Sequence, residues 1–232
     1  MQVHVASLNT RRSTELCLRT LGRFAGHPHT LVVGDGGSTD GSLEMLAELA
    51  RESPFELQLA AQGRQHWEWL DLWRRECPAR YAVFVDSDVE FRGRDWLADA
   101  VTVASRERAA MVTAEMLPPG PLVEPVGGKL VQLVERPAPW LLLLDIEQTR
   151  DIATSFEFRA DHGVDVPGGI RAYDVGAAFY ADVVERGLRV AQMPVDYRRK
   201  YLHYGGMSWR GGRRPRRILL ELRLRYRLAM LR

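Results

Sequence analysis

Four apolar segments of strand length alternate with three helix-like segments near the start of the chain, and this alternation limits the possible folds more than any other feature. The strand-like segments are residues 3–7, 30–33, 55–59 and 81–85. The segments between them, which carry leucines or tryptophans at helical spacing, are residues 14–24, 43–53 and 65–76. The rhythm predicts an α/β fold with a mainly parallel sheet, right-handed crossovers and helices on both faces.

Polar side chains follow these strands at the points where each strand ends. Asn9 follows the first, Asp35 the second, and Asp86 and Asp88 the fourth. Ligands of parallel sheets bind at the carboxyl ends of the strands. The spacing of Asp86 and Asp88 puts both carboxylates on one face of the chain, where they repel each other and favour a hard divalent cation, Mn²⁺ or Mg²⁺. A solvated acidic turn is the alternative reading of this D-x-D pattern.

A glycine-rich turn, residues 34–42, follows the second strand. It lacks the third glycine of a Rossmann fingerprint and the Gly-Lys-Ser/Thr of a Walker A loop. Thr39 or Ser42 could cap the following helix, but a simple helix entry leaves Asp35 unexplained.

These pieces together resemble the family-2 glycosyltransferases, whose GT-A fold is a Rossmann-like nucleotide-binding sheet. The resemblance rests on Ser-Leu-Asn at residues 7–9, Val-Val-Gly-Asp-Gly-Gly-Ser-Thr-Asp-Gly-Ser at 32–42 and Phe-Val-Asp-Ser-Asp at 84–88, in that order, and it covers about the first ninety residues. It implies a metal-dependent glycosyltransferase of the hexosyltransferase type. Such an enzyme transfers a sugar from a nucleoside-diphosphate sugar to an acceptor hydroxyl with inversion.

The resemblance also implies roles for single residues. Asp35 would accept a hydrogen bond from the nucleobase, and Asp88 would hold the metal ion, Mn²⁺ or Mg²⁺. Many relatives have an aromatic residue where this chain has Leu8, so stacking on the base must be weaker or come from elsewhere. The residues expected to bind the base, ribose or sugar are Ser7, Leu8, Asn9, Asp35, His66, Asp86 and Ser87.

Two histidines are candidate site residues, each with an alternative. His66 opens the third helix, where relatives place side chains that contact the donor, but an exposed helix histidine without a role fits equally well. His203 stands where a late histidine completes the metal shell in related enzymes, and packing between Tyr201 and Tyr204 is its alternative. Glycines at 205, 206, 211 and 212 predict a mobile loop that orders over the donor.

Inverting transfer needs a general base on the acceptor hydroxyl. Asp174 is the candidate, because it precedes the helix-like residues 178–186 as the acidic motif of relatives does. Relatives have two adjacent acids there and this chain has one, so Asp174 could instead cap that helix. Asp161 and Asp145 are the reserve candidates. Trp140 with residues 141–144 is either an apolar wall for the acceptor or part of the core.

The charge of the chain is divided between two segments. Residues 210–232 hold nine arginines and one glutamate, a net charge of +8, so the total of +2 leaves −6 on residues 1–209. We therefore expect a GT-A domain at 1–209, with a less regular acceptor-side half from residue 90, and a basic amphipathic helix at 210–232. The helix either packs on the domain or contacts anionic lipid. The acidic body argues against a nucleic-acid partner.

Only two cysteines occur, Cys17 and Cys77, and both lie in apolar helix-like stretches. We expect buried thiols and a reducing compartment, and we find no secretory signal pattern at the N-terminus. The expected location is the cytoplasm, with peripheral attachment to the inner membrane face as an extension. Two other functions are open: another nucleotide-processing enzyme such as a nucleotidyltransferase, whose basic triphosphate loop is not found near the first strand, and a catalytically silent GT-A-like nucleotide-binding or membrane-associated module.

Overall fold

A computed structural model describes residues 1–53, 55–60, 63–126, 129–167, 169–205 and 214–231. The elements of the first half are β1 (Gln2–Ser7), α1 (Arg11–Phe24), β2 (Thr30–Asp35), α2 (Ser42–Glu52), β3 (Glu56–Leu59), α3 (His66–Glu76), β4 (Tyr81–Asp86), β5 (Val89–Phe91), α4 (Trp96–Glu107) and β6 (Met111–Thr113).

The second half contains shorter and less regular elements. They are β7 (Met116–Leu117), β8 (Gly120–Val126), β9 (Lys129–Leu133), β10 (Arg136–Pro137), β11 (Leu141–Asp145), α5 (Ile146–Thr149), β12 (Arg159–Val166), β13 (Gly169–Tyr173), α6 (Ala177–Glu185), β14 (Val190–Gln192), a 3₁₀ helix (Val195–Lys200), β15 (Tyr201–His203) and α7 (Arg214–Ala229).

A seven-stranded sheet forms the centre of the molecule, in the order β14-β6-β11-β4-β1-β2-β3. The pairs β4-β1, β1-β2, β2-β3 and β14-β6 are parallel, whereas β11 runs antiparallel to both of its neighbours. The predicted α/β fold with a mainly parallel sheet is therefore confirmed. Because β1, β2 and β4 share one direction, the residues that follow them meet at one edge of the sheet.

Helices cover both faces of this sheet, as the sequence predicted. On one face, α1, α2 and α4 bury side chains such as Leu21, Leu46 and Leu97 against the strands. On the other, α3 and α6 bury Trp73 and Phe179. Successive residues of β1 and β4 point to opposite faces of the sheet. Because helices cover both faces, both strands are buried nearly throughout.

The run of leucines at 141–144 forms β11, in the middle of the sheet between β4 and β6. All four side chains are buried. The core interpretation of this run is correct, and the interpretation of these leucines as an acceptor wall is wrong. An uninterrupted run of apolar residues suits a central strand, because both faces of such a strand are covered.

Smaller units surround the central sheet. Four strands form a second sheet in the order β12-β13-β9-β8, and β5 pairs antiparallel with β15. Helix α7 packs along α1, where Arg12 and Glu221 form an ion pair of 2.7 Å. The predicted domain boundary after residue 209 falls in 206–213, outside the described residues. Cys17 and Cys77 are buried free thiols. None of the described helices has the length and apolar content needed to cross a membrane.

Candidate active site

An open cavity of about 650 Å³ lies at the edge of the sheet where β1 and β4 end. Its volume is in the range of small-molecule and cofactor sites. Nine of the residues singled out in the sequence line it: Ser7, Leu8, His66, Asp86, Ser87, Asp88, Trp140, Asp174 and His203. Residues from distant parts of the chain thus meet at one site.

Asp86, Asp88 and His203 form a cluster with the donor set of a divalent metal site. One ligand atom from each lies within 4.8 Å of the others, and the Nε2 atom of His203 is 3.1 Å from Asp88 Oδ1 and 3.9 Å from Asp86 Oδ2. An ion about 2.1 Å from its ligands places neighbouring ligand atoms about 3 Å apart and opposite ones about 4.2 Å apart. The two distances from His203, 3.1 and 3.9 Å, fall within this range, and the oxygen-rich donors suit a Mn²⁺ or Mg²⁺ ion.

The electrostatics of the cluster also favour a cation. Burial alone would lower the pKa of His203, but its hydrogen bond to Asp88 and the charges of Asp88 and Asp86 outweigh burial and raise that pKa. The pKa of His66 is raised in the same way, against burial, by Asp86, whose Oδ1 lies 3.2 Å from His66 Nε2. Burial would raise the pKa of Asp86, but the two histidines lower it. Both imidazoles thus sit in a negative local potential.

The β5–β15 pair holds Asp88 and His203 in place. Val89 pairs with His203, and the Tyr204 backbone N–H donates to the Asp88 carbonyl at 2.9 Å. The fully buried Glu90 carboxylate accepts hydrogen bonds from Tyr204 Oη (2.8 Å), Arg92 (2.7 Å) and Arg227 Nε (2.7 Å). Arg227 belongs to α7, so the C-terminal helix is tied to the strands that carry the candidate metal ligands.

Asp35 and Asn9 do not line the cavity, although the resemblance assigned both to the nucleotide. Asp35 Oδ1 accepts from the backbone N–H groups of Gly37 and Ser38, and Oδ2 accepts from the Ser38 hydroxyl at 2.7 Å. Asn9 Oδ1 accepts from the Thr39 N–H at 2.8 Å. In this structure both side chains shape the glycine-rich turn and fasten it to the end of β1.

A cluster of buried hydroxyl groups joins the end of β1 to the D-x-D turn. The Thr10 hydroxyl lies 3.1 Å from that of Ser87, 2.9 Å from that of Thr14 and 3.4 Å from that of Ser7. The network fixes Ser87 between the two aspartates. Thr10 was not singled out from the sequence, because a threonine that starts a helix is too common to signal a site.

Asp174 lies between β13 and α6 and lines the same cavity. Its Oδ2 accepts from Arg136 Nε at 3.1 Å, and its Oδ1 accepts from the Val175 N–H. The N-cap position of α6 belongs to Gly176, with no capping side chain, so Asp174 does not cap this helix. The reserve candidates lie elsewhere: Asp145 caps α5 and pairs with Arg80, and Asp161 pairs with Arg171.

Aromatic and basic side chains also line the cavity: Trp140, which the sequence offered as a wall for the acceptor, and Arg64, Trp67 and Trp69, which were not site candidates. Trp140 stacks on His203, with ring centroids 4.4 Å apart and an interplanar angle of 19°. Trp67 lies beside His66, and the Arg64 guanidinium lies over the Trp69 ring at 4.6 Å. The signal for Arg64, Trp67 and Trp69 was their closeness in sequence to His66, since the capped start of α3 at Gln65 presents them to the cavity.

No protein-family model matches the chain, and no curated protein matches its sequence. Solved structures do match its fold. The mannosyltransferase PcManGT from Pyrobaculum calidifontis, solved with GDP-Man and Mn²⁺, has a TM-score of 0.59 at 19% identity, and the match covers 84% of this chain and 54% of that protein. This chain therefore spans about half the length of the mannosyltransferase.

Two further structures match less closely. Glucosyl-3-phosphoglycerate synthase from Mycobacterium tuberculosis, solved with Mn²⁺, UDP and glucosyl-3-phosphoglycerate, has a TM-score of 0.53 at 15% identity over 82% of this chain and 68% of that protein. Residues 1–349 of S. aureus TarS, solved with UDP-GlcNAc, have a TM-score of 0.51 at 14% identity over 97% and 65%. At such low identities the likeness establishes the fold, which is GT-A.

Proposed function

We propose that this chain is a glycosyltransferase, related to family 2, that transfers a sugar from a nucleoside-diphosphate sugar to an acceptor hydroxyl with inversion. The observation that carries the proposal is the cluster of Asp86, Asp88 and His203 in a cavity at the carboxyl edge of a GT-A sheet. The mannosyltransferase and the synthase with the same fold were both solved with Mn²⁺ and a nucleotide or nucleotide sugar.

Asp88 and His203 would hold a Mn²⁺ or Mg²⁺ ion, and Asp86 would face the ribose or sugar from the same cluster. When bound, such an ion offsets the negative charge that develops on a departing diphosphate. The backbone pairing of Val89 with His203 and the buried Glu90 hold Asp88 and His203 in a fixed relative position. A fixed arrangement of this kind stabilises charge without reorganisation during the reaction.

The donor would lie along the cavity wall formed by the end of β1 and the start of α3. Ser7, Leu8 and Ser87 line this wall, as does His66 beside Asp86. Asn9 and Asp35 would shape the wall through the glycine-rich turn. For Asp35 to accept a hydrogen bond from a base, its buried carboxylate would have to become accessible; its Oδ2 accepts from the Ser38 hydroxyl and keeps lone-pair capacity for a further donor.

Asp174 would serve as the general base. Each of its oxygens accepts one hydrogen bond, from Arg136 or Val175, and keeps lone-pair capacity for a further donor. The acceptor oxygen would form the new bond to the anomeric carbon as the bond to the diphosphate oxygen breaks, and its proton would pass to the Asp174 carboxylate. Arg136 would orient the carboxylate toward the cavity.

Thermal unfolding with UDP, GDP and their sugars, with and without Mn²⁺, tests donor binding. A ligand present at about 100 times its Kd stabilises the folded state by about 2.7 kcal/mol, so the correct donor should raise Tm in a metal-dependent way. Asp88→Asn should remove the metal-dependent increase. An Asp88→Asn protein with the wild-type response would contradict the assignment of the metal site.

Metal-dependent release of diphosphate from the donor, which needs no acceptor, tests whether the site is catalytic. Asp174→Asn should keep donor binding and lose transfer, whereas the matched control Asp161→Asn, an acid outside the cavity, should behave as the wild type. Donor binding without any release would favour the alternative of a catalytically silent nucleotide-binding module.

We also propose that the protein works in the cytoplasm. Cys17 and Cys77 are buried, unlinked thiols, as expected in a reducing compartment. Labelling of thiols in protein freshly prepared from cells should find both cysteines reduced once the chain is unfolded.

A further inference from the structure

Helix α7 has two apolar faces, and the described part of the chain buries one of them and leaves the other exposed. Leu224 and Leu228 are buried against Leu16 and Tyr204, and Leu220 and Leu231 pack at the margin of the same cluster. This face anchors the helix to the body of the protein, as the packed alternative for the C-terminal segment predicted.

The second apolar face points away from the protein. Its side chains are 56–68% exposed: Ile218, Leu219, Leu222, Tyr226 and Met230. They make up half of the ten most exposed large apolar side chains among the described residues. An α-helix turns by about 100° per residue. Viewed down the helix axis, Leu222 and Tyr226 each lie about 160° from the buried Leu224, one on each side of the direction that points away from the protein. A contiguous exposed stripe of this kind marks an interaction surface.

Positive charge borders the stripe on both sides. Arg223 and Arg225 are exposed and each lies about 100° from Leu224, on opposite flanks of the outward face; the Arg223 guanidinium also lies over the Tyr204 ring, 5.6 Å from its centroid, so Arg225 is the flank with no such contact among the described residues. Six arginines and one glutamate occur between residues 214 and 229. The glutamate, Glu221, turns toward α1 and pairs with Arg12, so it does not offset the charge of the outward face.

We propose that the outward face of α7 docks on the surface of an anionic phospholipid membrane. An interfacial helix buries an apolar stripe at the level of the acyl chains while flanking arginines contact lipid phosphates. A second copy of this chain fits the face poorly, because two such faces would bring their arginine flanks together while the acid of α7, Glu221, is paired with Arg12. The acyl chains of an anionic membrane would bury the apolar stripe, and the lipid phosphates would contact the arginines beside it.

Docking through α7 would also fix the orientation of the cavity. Arg227 of α7 bonds the buried Glu90, and Tyr204 bonds both Glu90 and the backbone of Asp88. The helix and the strands of the candidate metal site therefore form one connected unit.

Co-sedimentation of the full 232-residue chain with vesicles tests the proposal. The wild type should bind vesicles of equal parts phosphatidylglycerol and phosphatidylcholine, and bind phosphatidylcholine vesicles much less. The variant L219S/L222S/Y226S should bind the anionic vesicles at least about tenfold more weakly, since it removes most of the buried apolar area. Arg225→Gln should weaken binding about fivefold. The control V184S/V195S, which removes exposed apolar side chains elsewhere, should bind as the wild type.

Three results would overturn the proposal. One is equal binding of the wild type to both kinds of vesicle, and another is wild-type binding by the triple-serine variant. The third is a wild-type dimer in light scattering that the triple-serine variant converts to a monomer, because it would assign the face to self-association. If the triple-serine variant did not fold, the single Arg225→Gln variant would decide, with undiminished binding counting against the proposal.

Discussion

His4 lies in the middle of β1, the strand between β2 and β4, and its protonation should weaken the fold. Its imidazole stacks on Trp73 with ring centroids 4.9 Å apart and lies 5.6 Å from Phe84. Neither ring nitrogen has a hydrogen-bond partner within the part of the chain that the structure describes. Burial lowers the pKa of His4 from 6.5 to about 3.

The size of the effect follows from linkage. Between these two pKa values the unfolded chain binds a proton that the folded protein does not, so the free energy of unfolding falls as pH falls, by about 1.4 kcal/mol per pH unit. Between about pH 7 and about pH 5 the loss is about 2 kcal/mol. His66 and His203 have raised pKa values, so the stability they contribute is present below 6.5 and is lost as pH rises through their folded values.

The substitution His4→Phe isolates this effect. Phenylalanine keeps the aromatic stack, and a small cavity of about 190 Å³ beside His4 leaves room for the larger ring. Urea denaturation of both proteins at several pH values gives the difference in their pH dependence, from which the contributions of His66 and His203 cancel. The variant should lose about 2 kcal/mol less than the wild type between about pH 7 and about pH 5. Equal pH dependence in the two proteins would refute the reasoning.

Other substitutions test the core and the site. Glu90→Gln should lower the free energy of unfolding by about 1.5 to 3 kcal/mol, because the hydrogen bonds of Glu90 with Arg92 and Arg227, whose side chains are about one-third exposed, lose the carboxylate charge; a loss below about 0.5 kcal/mol in urea denaturation would contradict this. Gly34→Ala should cost about 1 to 3 kcal/mol, because the new Cβ would lie 2.6 Å from the Trp73 ring. Gly22→Ala, in α1 with nothing within 4 Å, should instead add about 1 kcal/mol, and equal melting temperatures of the two alanine variants would oppose both expectations. His66→Ala should raise KM for the donor, and unchanged steady-state kinetics would remove its proposed role.

The first half of the fold could be predicted from the sequence because its signals are local. Residues 82–85 of β4 are all buried, so the apolar side chains at these positions directly reflect a buried environment. The predicted start of α1, at residue 14, was three residues late. Its first turn, Arg11 to Ser13, contains no apolar residue, so apolar spacing could not mark it.

The second half depends on pairings between residues that are far apart in sequence. Strand β11 lies between β4 and β6, and nothing in four consecutive leucines specifies those partners or the antiparallel direction. The contact of Arg136 with Asp174 spans 38 residues and has no local pattern either. Such contacts are set by packing of the whole domain, which propensity and periodicity do not describe.

In the candidate site, too, some residues could be predicted from local sequence signals and others could not. Asp86 and Asp88 were found because both follow a buried strand, whereas Asp35 follows a strand but turns its carboxylate into its own loop. A polar residue at a strand end can serve a ligand or a turn, and the backbone N–H groups nearby decide between them. Similarly, the spacing of leucines and arginines predicted an amphipathic α7 but not which apolar face would be buried.

The central claim is that Asp88 and His203, beside Asp86, hold a divalent ion that binds the diphosphate of the donor. A crystal grown with Mn²⁺ and UDP or GDP, with diffraction recorded at the manganese absorption edge, tests it directly. The account predicts one anomalous peak at about 2.2 Å from the Asp88 carboxylate and His203 Nε2, in contact with the diphosphate. An anomalous map with no peak at this cluster, in a crystal where the nucleotide is bound elsewhere, would contradict it.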